Sequence, residues 1–406
     1  MRCIKRLLSL NRKPIIMGIE TSCDDTAIGI VQSPSNILAN KINSQVGLTV
    51  KFGGVIPQAA SLMHDQNLPR VFEEALSQAK IGVKDLSAIG VTNGPGLAPC
   101  LKSGLTFAKR IALENNLELI PVHHMKAHAL TSLLTDENLK FPFLSVLMSG
   151  GHALIGLFRD TDEFCLLGST LDSAPGEVFD KLGRYLRADR VVDRKYSNHC
   201  YGYILERLAI EHSDGMTKQF NMTRRSKRDC DMAFSGILSG FAKHCEHLGG
   251  VDNLSVTQLG NISLSFHQLI CKIITNRVGR ALMFLKNNPD FVDPSNASGV
   301  AANIFLRSSL NSLAQEFSND FYQIGFSAPD VKLCTDNGVM IAWNALLKYN
   351  DQHRSHVKVE DIDFYPRYNK VIIPMGQDYR SLIRSSNIKV ENLKLDKIFE
   401  EIIRKQ

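Results

Sequence analysis

The sequence predicts an α/β protein built as two lobes, and three observations carry that prediction. Two apolar hairpins, Ile15 to Val31 and Leu144 to Leu157, each open a long stretch of mixed segments. Between them, a strand over Leu86 to Val91, a Gly-Pro-Gly turn, a helix over Leu101 to Glu114 and a strand over Glu118 to Val122 spell a βαβ unit. At 406 residues the chain exceeds what one core fills, and 44% apolar residues can bury two. Two such hairpins in succession suggest a duplicated architecture, although no residue-level repeat accompanies it.

Each element has a local reason. In the first hairpin, the runs Ile15 to Ile19 and Thr26 to Val31 bound the polar turn Glu20-Thr21-Ser22-Cys23-Asp24-Asp25, and Ile37 to Val46 reads as a third strand. A glycine-containing loop, Lys51 to Pro57, precedes a helix over Gln58 to Ala79. The Leu101 to Glu114 helix places Leu101, Leu105, Ala108 and Ala112 on one face. The second hairpin turns at Met148-Ser149-Gly150-Gly151-His152, and Asp172 to Lys181 enters a helix ending near Leu186. Segments 184–203 and 214–232 are charged, aperiodic and read as loops. Long helices follow over 256–285, with a break expected near Ser263 or Ser265, and over 302–317. Val331 to Cys334 reads as a strand and Val339 to Leu347 as a helix. In the tail, Leu393, Leu395, Ile398, Phe399, Ile402 and Ile403 form one apolar face that can dock on the body or on a second subunit. The expected divisions are a leader over 1–14, an N-terminal lobe over 15–140, a C-terminal lobe over 141–350 and an extension over 351–406.

The first fourteen residues hold five Arg or Lys and no acid, with Leu7, Leu8 and Leu10 for an apolar face. This is the composition of a mitochondrial presequence. Without it the net charge of +6 falls to +1, so a nucleic-acid argument has to rest on local clusters. Nine cysteines with no C-x-x-C pair exclude a disulfide framework and a sulfur-rich zinc site, and favour a reducing compartment such as the cytosol or the mitochondrial matrix. No run offers the 18 or so uninterrupted apolar residues of a membrane helix, so no membrane partner is expected.

Chemistry concentrates after the βαβ unit. His124 and His128 are four apart, which on a helix stacks both rings on one face, where they can share a metal ion or stand as two satisfied side chains. Asp336, just before a helix, can add an oxygen ligand or cap that helix. The turn Ser149-Gly150-Gly151 can bring backbone amides to a phosphate, or supply positive φ to a tight hairpin. Asp180 and Asn303, read at helix starts, can meet a ribose or purine, or serve the helix dipole and cap.

In order, the runs GIETSCDDTAIGIV (18–31), FGGVIP (52–57), NGPGL (93–97), HHMKAHAL (123–130), LMSGGH (147–152), GEVFDK (176–181), FSGIL (234–238), GVAANIFLR (299–307) and CTDNGVMIAW (334–343) resemble the motifs of the tRNA threonylcarbamoyladenosine transferases. With the basic leader, the chain resembles a mitochondrial member. The resemblance implies the two-lobed actin, sugar-kinase and heat-shock-chaperone (ASKHA) fold, each lobe a mixed β-sheet flanked by helices, with a nucleotide between lobes. It implies one divalent metal ion, zinc or iron, on His124, His128 and Asp336. Nucleotide positions fall on Leu147, Met148, Ser149, Gly150, Gly151, Asp180 and Asn303, with Gly202 the nearest match to a further family glycine.

The implied reaction moves the threonylcarbamoyl group from threonylcarbamoyl-AMP, supplied by a separate synthetase, to N6 of adenosine 37 in tRNAs reading codons that begin with A. A homodimer is implied for mitochondrial members. Asp25 is the candidate to orient or deprotonate the amine. Four departures stand out: Asp25 replaces a Glu, Gln58 and Leu62 occupy usually charged places, and Lys126 replaces an acid between the histidines. Arg224, Arg225, Lys227 and Arg228, with Arg184, Arg187, Arg190, Arg194 and Lys195, are the densest basic groups outside the leader and the expected tRNA contacts. Two other readings are a metallopeptidase, disfavoured because Met125 stands where H-E-x-x-H needs its glutamate, and a non-catalytic nucleotide-dependent scaffold.

Overall fold

A computed structural model describes residues 13–52, 54–148, 153–191, 199–220, 228–288, 296–300, 303–318, 324–351, 356–366, 379–386 and 388–405. The chain forms two compact units. The first comprises Met1–Leu134 and Thr335–Ile372, the second Thr135–Cys334 and Ile373–Gln406.

In the first unit, β1 (Ile15–Glu20), β2 (Asp25–Gln32), β3 (Asn36–Ser44), β4 (Ala88–Gly94) and β5 (Glu118–His123) make one sheet in the order β3-β2-β1-β4-β5. β1 runs antiparallel to β2, from Ile15 opposite Gln32 to Glu20 opposite Ala27, and parallel to β4. Both faces are covered, which is why β1, β2 and β4 read as near-continuous apolar runs. On one face Met17, Ile19, Ile28 and Ile89 meet Leu68, Val71, Phe72, Leu105 and Ile111 from the helices Pro57–Ala79 and Ala98–Asn115.

The other face carries the helix Gly338–Asn350. Its approach is unusually close: a Cβ built on Gly338 would fall 2.0 Å from Gly29 N, and one on Gly18 would fall 2.1 Å from Ala342 N. Trp343 Nε1 donates to Leu130 O at 2.8 Å and Lys348 Nζ to Pro121 O at 2.9 Å, tying this helix to the strand and helix that carry the histidines. Residues 335–350, expected in the C-terminal lobe, therefore belong with the first unit, because their glycine face fits the backbone of β1 and β2.

The second unit repeats the connectivity. β6 (Phe143–Met148), β7 (Ala153–Phe158), β8 (Phe164–Ser169), β9 (Asn296–Val300) and β10 (Gly325–Ser327) order as β10-β9-β6-β7-β8. As in the first sheet, an antiparallel hairpin lies to one side of the first strand and two parallel strands to the other. The duplicated architecture suggested by the two hairpins is thus real at the level of topology, and each lobe is a mixed sheet flanked by helices.

Three elements differ from expectation. The helix Val256–Lys286 runs 31 residues unbroken. Ser263 Oγ donates out of the helix to Leu205 O at 2.6 Å, and Ser265 Oγ bonds back to the i−4 carbonyl of Asn261 at 2.7 Å, sharing a ladder acceptor without breaking the helix. Val331–Cys334 is a helical turn instead of a strand, with Leu333 N donating to Asp330 O at 2.8 Å. A short helix, Val46–Phe52, lies where the sequence reads as the end of a strand and a loop. The tail helix Leu395–Arg404 docks on its own unit, burying Leu395, Phe399 and Ile402, with the Phe399 ring 4.6 Å from that of Phe305.

Candidate metal centre

β5 ends at His123 and the helix His124–Thr135 begins at the next residue. His124 and His128 fall on one face of its first turn, with ring centroids 4.7 Å apart and planes at 87°. They are 7% and 3% exposed. Asn337 caps the helix Gly338–Asn350 by accepting from Met340 N at 2.9 Å, and its amide donates to Thr335 O at 2.8 Å. That tight turn presents Asp336, whose Oδ1 lies 3.1 Å from His128 Nε2 and 3.6 Å from His124 Nε2. One ligand atom from each of the three residues lies within 4.8 Å of the others, a spacing one metal ion can bridge.

Behind His124 sits Glu20, the last residue of β1 and fully buried. Its Oε2 is 2.9 Å from His124 Nδ1 and accepts from the Thr92 hydroxyl at 2.6 Å, while Oε1 accepts from Ser22 N. Sequence reading left Glu20 out; the available signal was an acid ending a buried strand and followed at once by two hydroxyl residues. Burial alone would raise the Glu20 carboxyl, but the attraction of His124 and the hydrogen bonds from His124 and Thr92 hold it below its ordinary value. Burial likewise opposes charge on His124, yet Glu20 and Asp336 carry its imidazole well above the usual range. Two carboxylates around two imidazoles could hold a cation, and a carboxylate behind a histidine is a common second layer where a histidine ligates a metal. The residues fit a divalent ion with nitrogen and oxygen ligands.

Asp25 opens β2, half-buried, and its Oδ1 is buried with no hydrogen-bond partner among the described residues. His64, fully buried, braces the same turn: its Nδ1 is 2.7 Å from Thr26 Oγ1 and its Nε2 is 2.9 Å from Cys23 O.

In the second unit, Leu147 and Met148 end β6, buried and half-buried, and Ser149, Gly150 and Gly151 lie outside the described residues. Asp180 is the sixth residue of the helix Pro175–Tyr185, so it lies beyond the first turn where it was expected. Gly202, second in the helix Tyr201–His212, faces Phe179, the neighbour of Asp180. Asn303 caps the helix Ile304–Phe317, accepting from Leu306 N at 3.1 Å. Glu206, one turn after Gly202 and also missed by sequence reading, accepts from Ile304 N at 2.8 Å and so joins the start of Gly202's helix to that of Asn303's. Burial raises its carboxyl to about 7. Arg224, Arg225, Lys227, Arg194 and Lys195 lie outside the described residues; Arg228, Arg184, Arg187 and Arg190 are exposed, and Arg187 pairs with Asp252 at 2.5 Å.

The sequence pattern of one family, TsaD, tRNA N6-adenosine threonylcarbamoyltransferase, matches residues 36–343. The mitochondrial tRNA N6-adenosine threonylcarbamoyltransferase of Mus musculus is 35% identical over 96% of this chain and 92% of its own length. That of Homo sapiens is 34% identical over 94% and 91%. This chain belongs to the tRNA N6-adenosine threonylcarbamoyltransferase family. It is an enzyme of tRNA modification, and its similarity to relatives named mitochondrial, including one from Arabidopsis thaliana at 34% identity, makes it a mitochondrial member. Among solved structures, full-length HypF in its phosphate- and nucleotide-bound form is similar in fold, with a TM-score of 0.50 at 12% identity over 85% of this chain and 48% of that one. This agrees with the ASKHA fold class.

Within the tRNA N6-adenosine threonylcarbamoyltransferase frame, two departures acquire a physical account. Lys126 is two positions from each histidine, hence on the far side of the helix. Its charge acts on His123, which burial first and Lys126 next hold down at about 3, and it does not figure among the groups that shift His124. Asp25, shorter than the usual Glu, is raised by burial to about 7; Ser44 offsets this in part, and Asp336, Asp24 and Glu20 add to it. Between its unfolded value of 3.8 and about 7, the metal-free folded chain binds one more proton than the unfolded one. The associated stability is present below about pH 4 and is lost as pH rises through about 7, at up to roughly 1.4 kcal/mol per pH unit. Urea unfolding of chelated protein at pH 5 and pH 8 should show Asp25→Asn losing about 2 kcal/mol less than wild type over that interval. Parallel losses would mean that Asp25 is ionised throughout.

Proposed function

We propose that this chain transfers the threonylcarbamoyl group from threonylcarbamoyl-AMP to N6 of adenosine 37 in mitochondrial tRNAs reading ANN codons, forming t6A and releasing AMP. The observation that carries this reading is the convergence of His124, His128 and Asp336 inside a chain of this family. A divalent ion, zinc or iron, would be held by those three residues and would supply Lewis acidity toward carbonyl or phosphate oxygens.

The chain's own groups do the rest. An exocyclic adenine amine is a poor nucleophile, so rate depends on holding it against the activated carbonyl. Asp25, with a carboxyl near 7, suits the transfer of one amine proton at neutral pH as N6 bonds to the carbamoyl carbon and the bond to the AMP phosphate breaks. The amides of Ser149, Gly150 and Gly151 after β6 bind the phosphate, and Leu147 and Met148 flank it. Asp180, Gly202 and Asn303, with Glu206 linking the last two, receive the nucleoside. A separate synthetase supplies threonylcarbamoyl-AMP, and the active form is a homodimer.

The deciding experiment supplies purified protein with threonylcarbamoyl-AMP and unmodified tRNA and analyses the nucleosides; t6A appearing only with active protein supports the reading. Its absence in metal-loaded protein favours a non-catalytic scaffold. The metallopeptidase reading has weakened, since Met125 is 4% exposed and offers no base. For the basic segment, neutralising Arg224, Arg225, Lys227 and Arg228 together should weaken tRNA binding about tenfold or more at 100 mM salt and flatten its salt dependence. Unchanged slopes in a filter-binding titration would leave the four as surface.

A further inference from the structure

We propose that Glu20 is a positioning residue that keeps the proton of His124 on Nδ1 and so aims the Nε2 lone pair at the metal. This rests on the metal-centre reading and deepens it. The argument is one of donors and acceptors. A backbone N–H can only donate, so Ser22 N fixes Glu20 Oε1 as an acceptor. Thr92 donates its hydroxyl proton to Oε2, and His124 Nδ1 approaches the same oxygen at 2.9 Å. Both carboxylate oxygens act as acceptors in this geometry, so the hydrogen between Oε2 and Nδ1 belongs to the imidazole. When an ion binds, Nδ1 keeps its hydrogen and Nε2, the nitrogen that faces Asp336, is the one that gives up its proton.

The carboxylate is itself anchored from two strands, since Glu20 ends β1 and Thr92 lies in the adjacent parallel strand β4. The other histidine is held differently. His128 Nδ1 is buried with no hydrogen-bond partner among the described residues, so its ring is aimed by helix packing and by Asp336. The two ligands are therefore unequal, and His124 is the pre-set one. In a purely structural role Glu20 would also lie buried beside His124, but its replacement would change stability and leave the zinc affinity of the folded protein unchanged.

Glu20→Gln separates the two. The amide can keep its carbonyl oxygen toward Ser22 N, which puts its NH2 where Oε2 stood, facing Thr92 Oγ1 and His124 Nδ1, and so favours a proton on Nε2, the wrong nitrogen for a ligand. In competition with a chromophoric chelator, zinc affinity of the full-length chain should fall about 10- to 100-fold in E20Q. In an H124A background the same change should cost less than about twofold, because Glu20 acts through that ring. Long-range 1H–15N correlation spectra of 15N-histidine-labelled, zinc-loaded wild type should show His124 protonated on Nδ1 and coordinated through Nε2. This measurement needs no variant and decides the matter if E20Q fails to fold. Coordination through Nδ1, or equal zinc affinity of folded E20Q and wild type, overturns the role of Glu20 and leaves the metal centre intact. Wild type that binds no zinc overturns both.

Discussion

Alanine at both His124 and His128 should leave a protein that retains no zinc through gel filtration and transfers threonylcarbamoyl at least about 100-fold more slowly than wild type. Two of three ligands are gone, and Asp336 alone, half-buried at the mouth of its turn, cannot hold an ion against water. The single variants should differ in stability. His124→Ala strands Glu20, fully buried, without its cationic partner, and breaking such a pair costs about 3–5 kcal/mol. His128→Ala leaves Asp336, whose side chain is 23% exposed and partly solvated, and should cost about 1–3 kcal/mol. Urea unfolding of chelated proteins measures the difference; metal content and nucleoside analysis measure the loss of function. Wild-type transfer by the double variant would end the metal reading.

The second large effect concerns the packing that places Asp336, two residues before Gly338. Gly338→Val should abolish folding of the first unit, or destabilise it by more than about 3 kcal/mol. A Cβ at Gly338 meets Gly29 N at 2.0 Å and the Ile28 carbonyl carbon at 2.3 Å, and those are strand backbone atoms that cannot swing aside. Gly29→Val should do the same from the other side, since its Cβ would lie 2.2 Å from Val339 N. If the helix shifts outward to accommodate the change, Asp336 leaves His124 and His128. Zinc affinity then falls even in a variant that still folds. Expression yield, thermal melting and zinc competition read these three outcomes separately, and melting unchanged from wild type would contradict the packing argument.

Much of this site was legible from residue spacing. His124 and His128 could be placed on one helical face because four residues make about one turn, and both hairpins could be read from alternating apolar runs and polar turns. Helix breaks were less legible. The hydroxyls of Ser263 and Ser265 look disruptive in sequence, yet each finds a backbone carbonyl in the folded chain. Val331 to Cys334 is too short and too apolar for periodicity to tell a strand from a helical turn. Glu20 escaped notice because its meaning lies in partners 72 and 104 residues away.

What the sequence by itself determined is the local chemistry: where the two hairpins fall, that a helix begins just after Asp336, and which residues could ligate, since these depend on neighbours within a few positions. What only the tertiary structure decided is which of them meet. Asp336 is 208 residues from His128, and it reaches the histidines because the Gly338–Asn350 helix lies against Gly18 and Gly29. That is a contact between backbones, made possible where side chains are missing. No periodicity announces it, because the partner surface is a sheet assembled from distant parts of the chain.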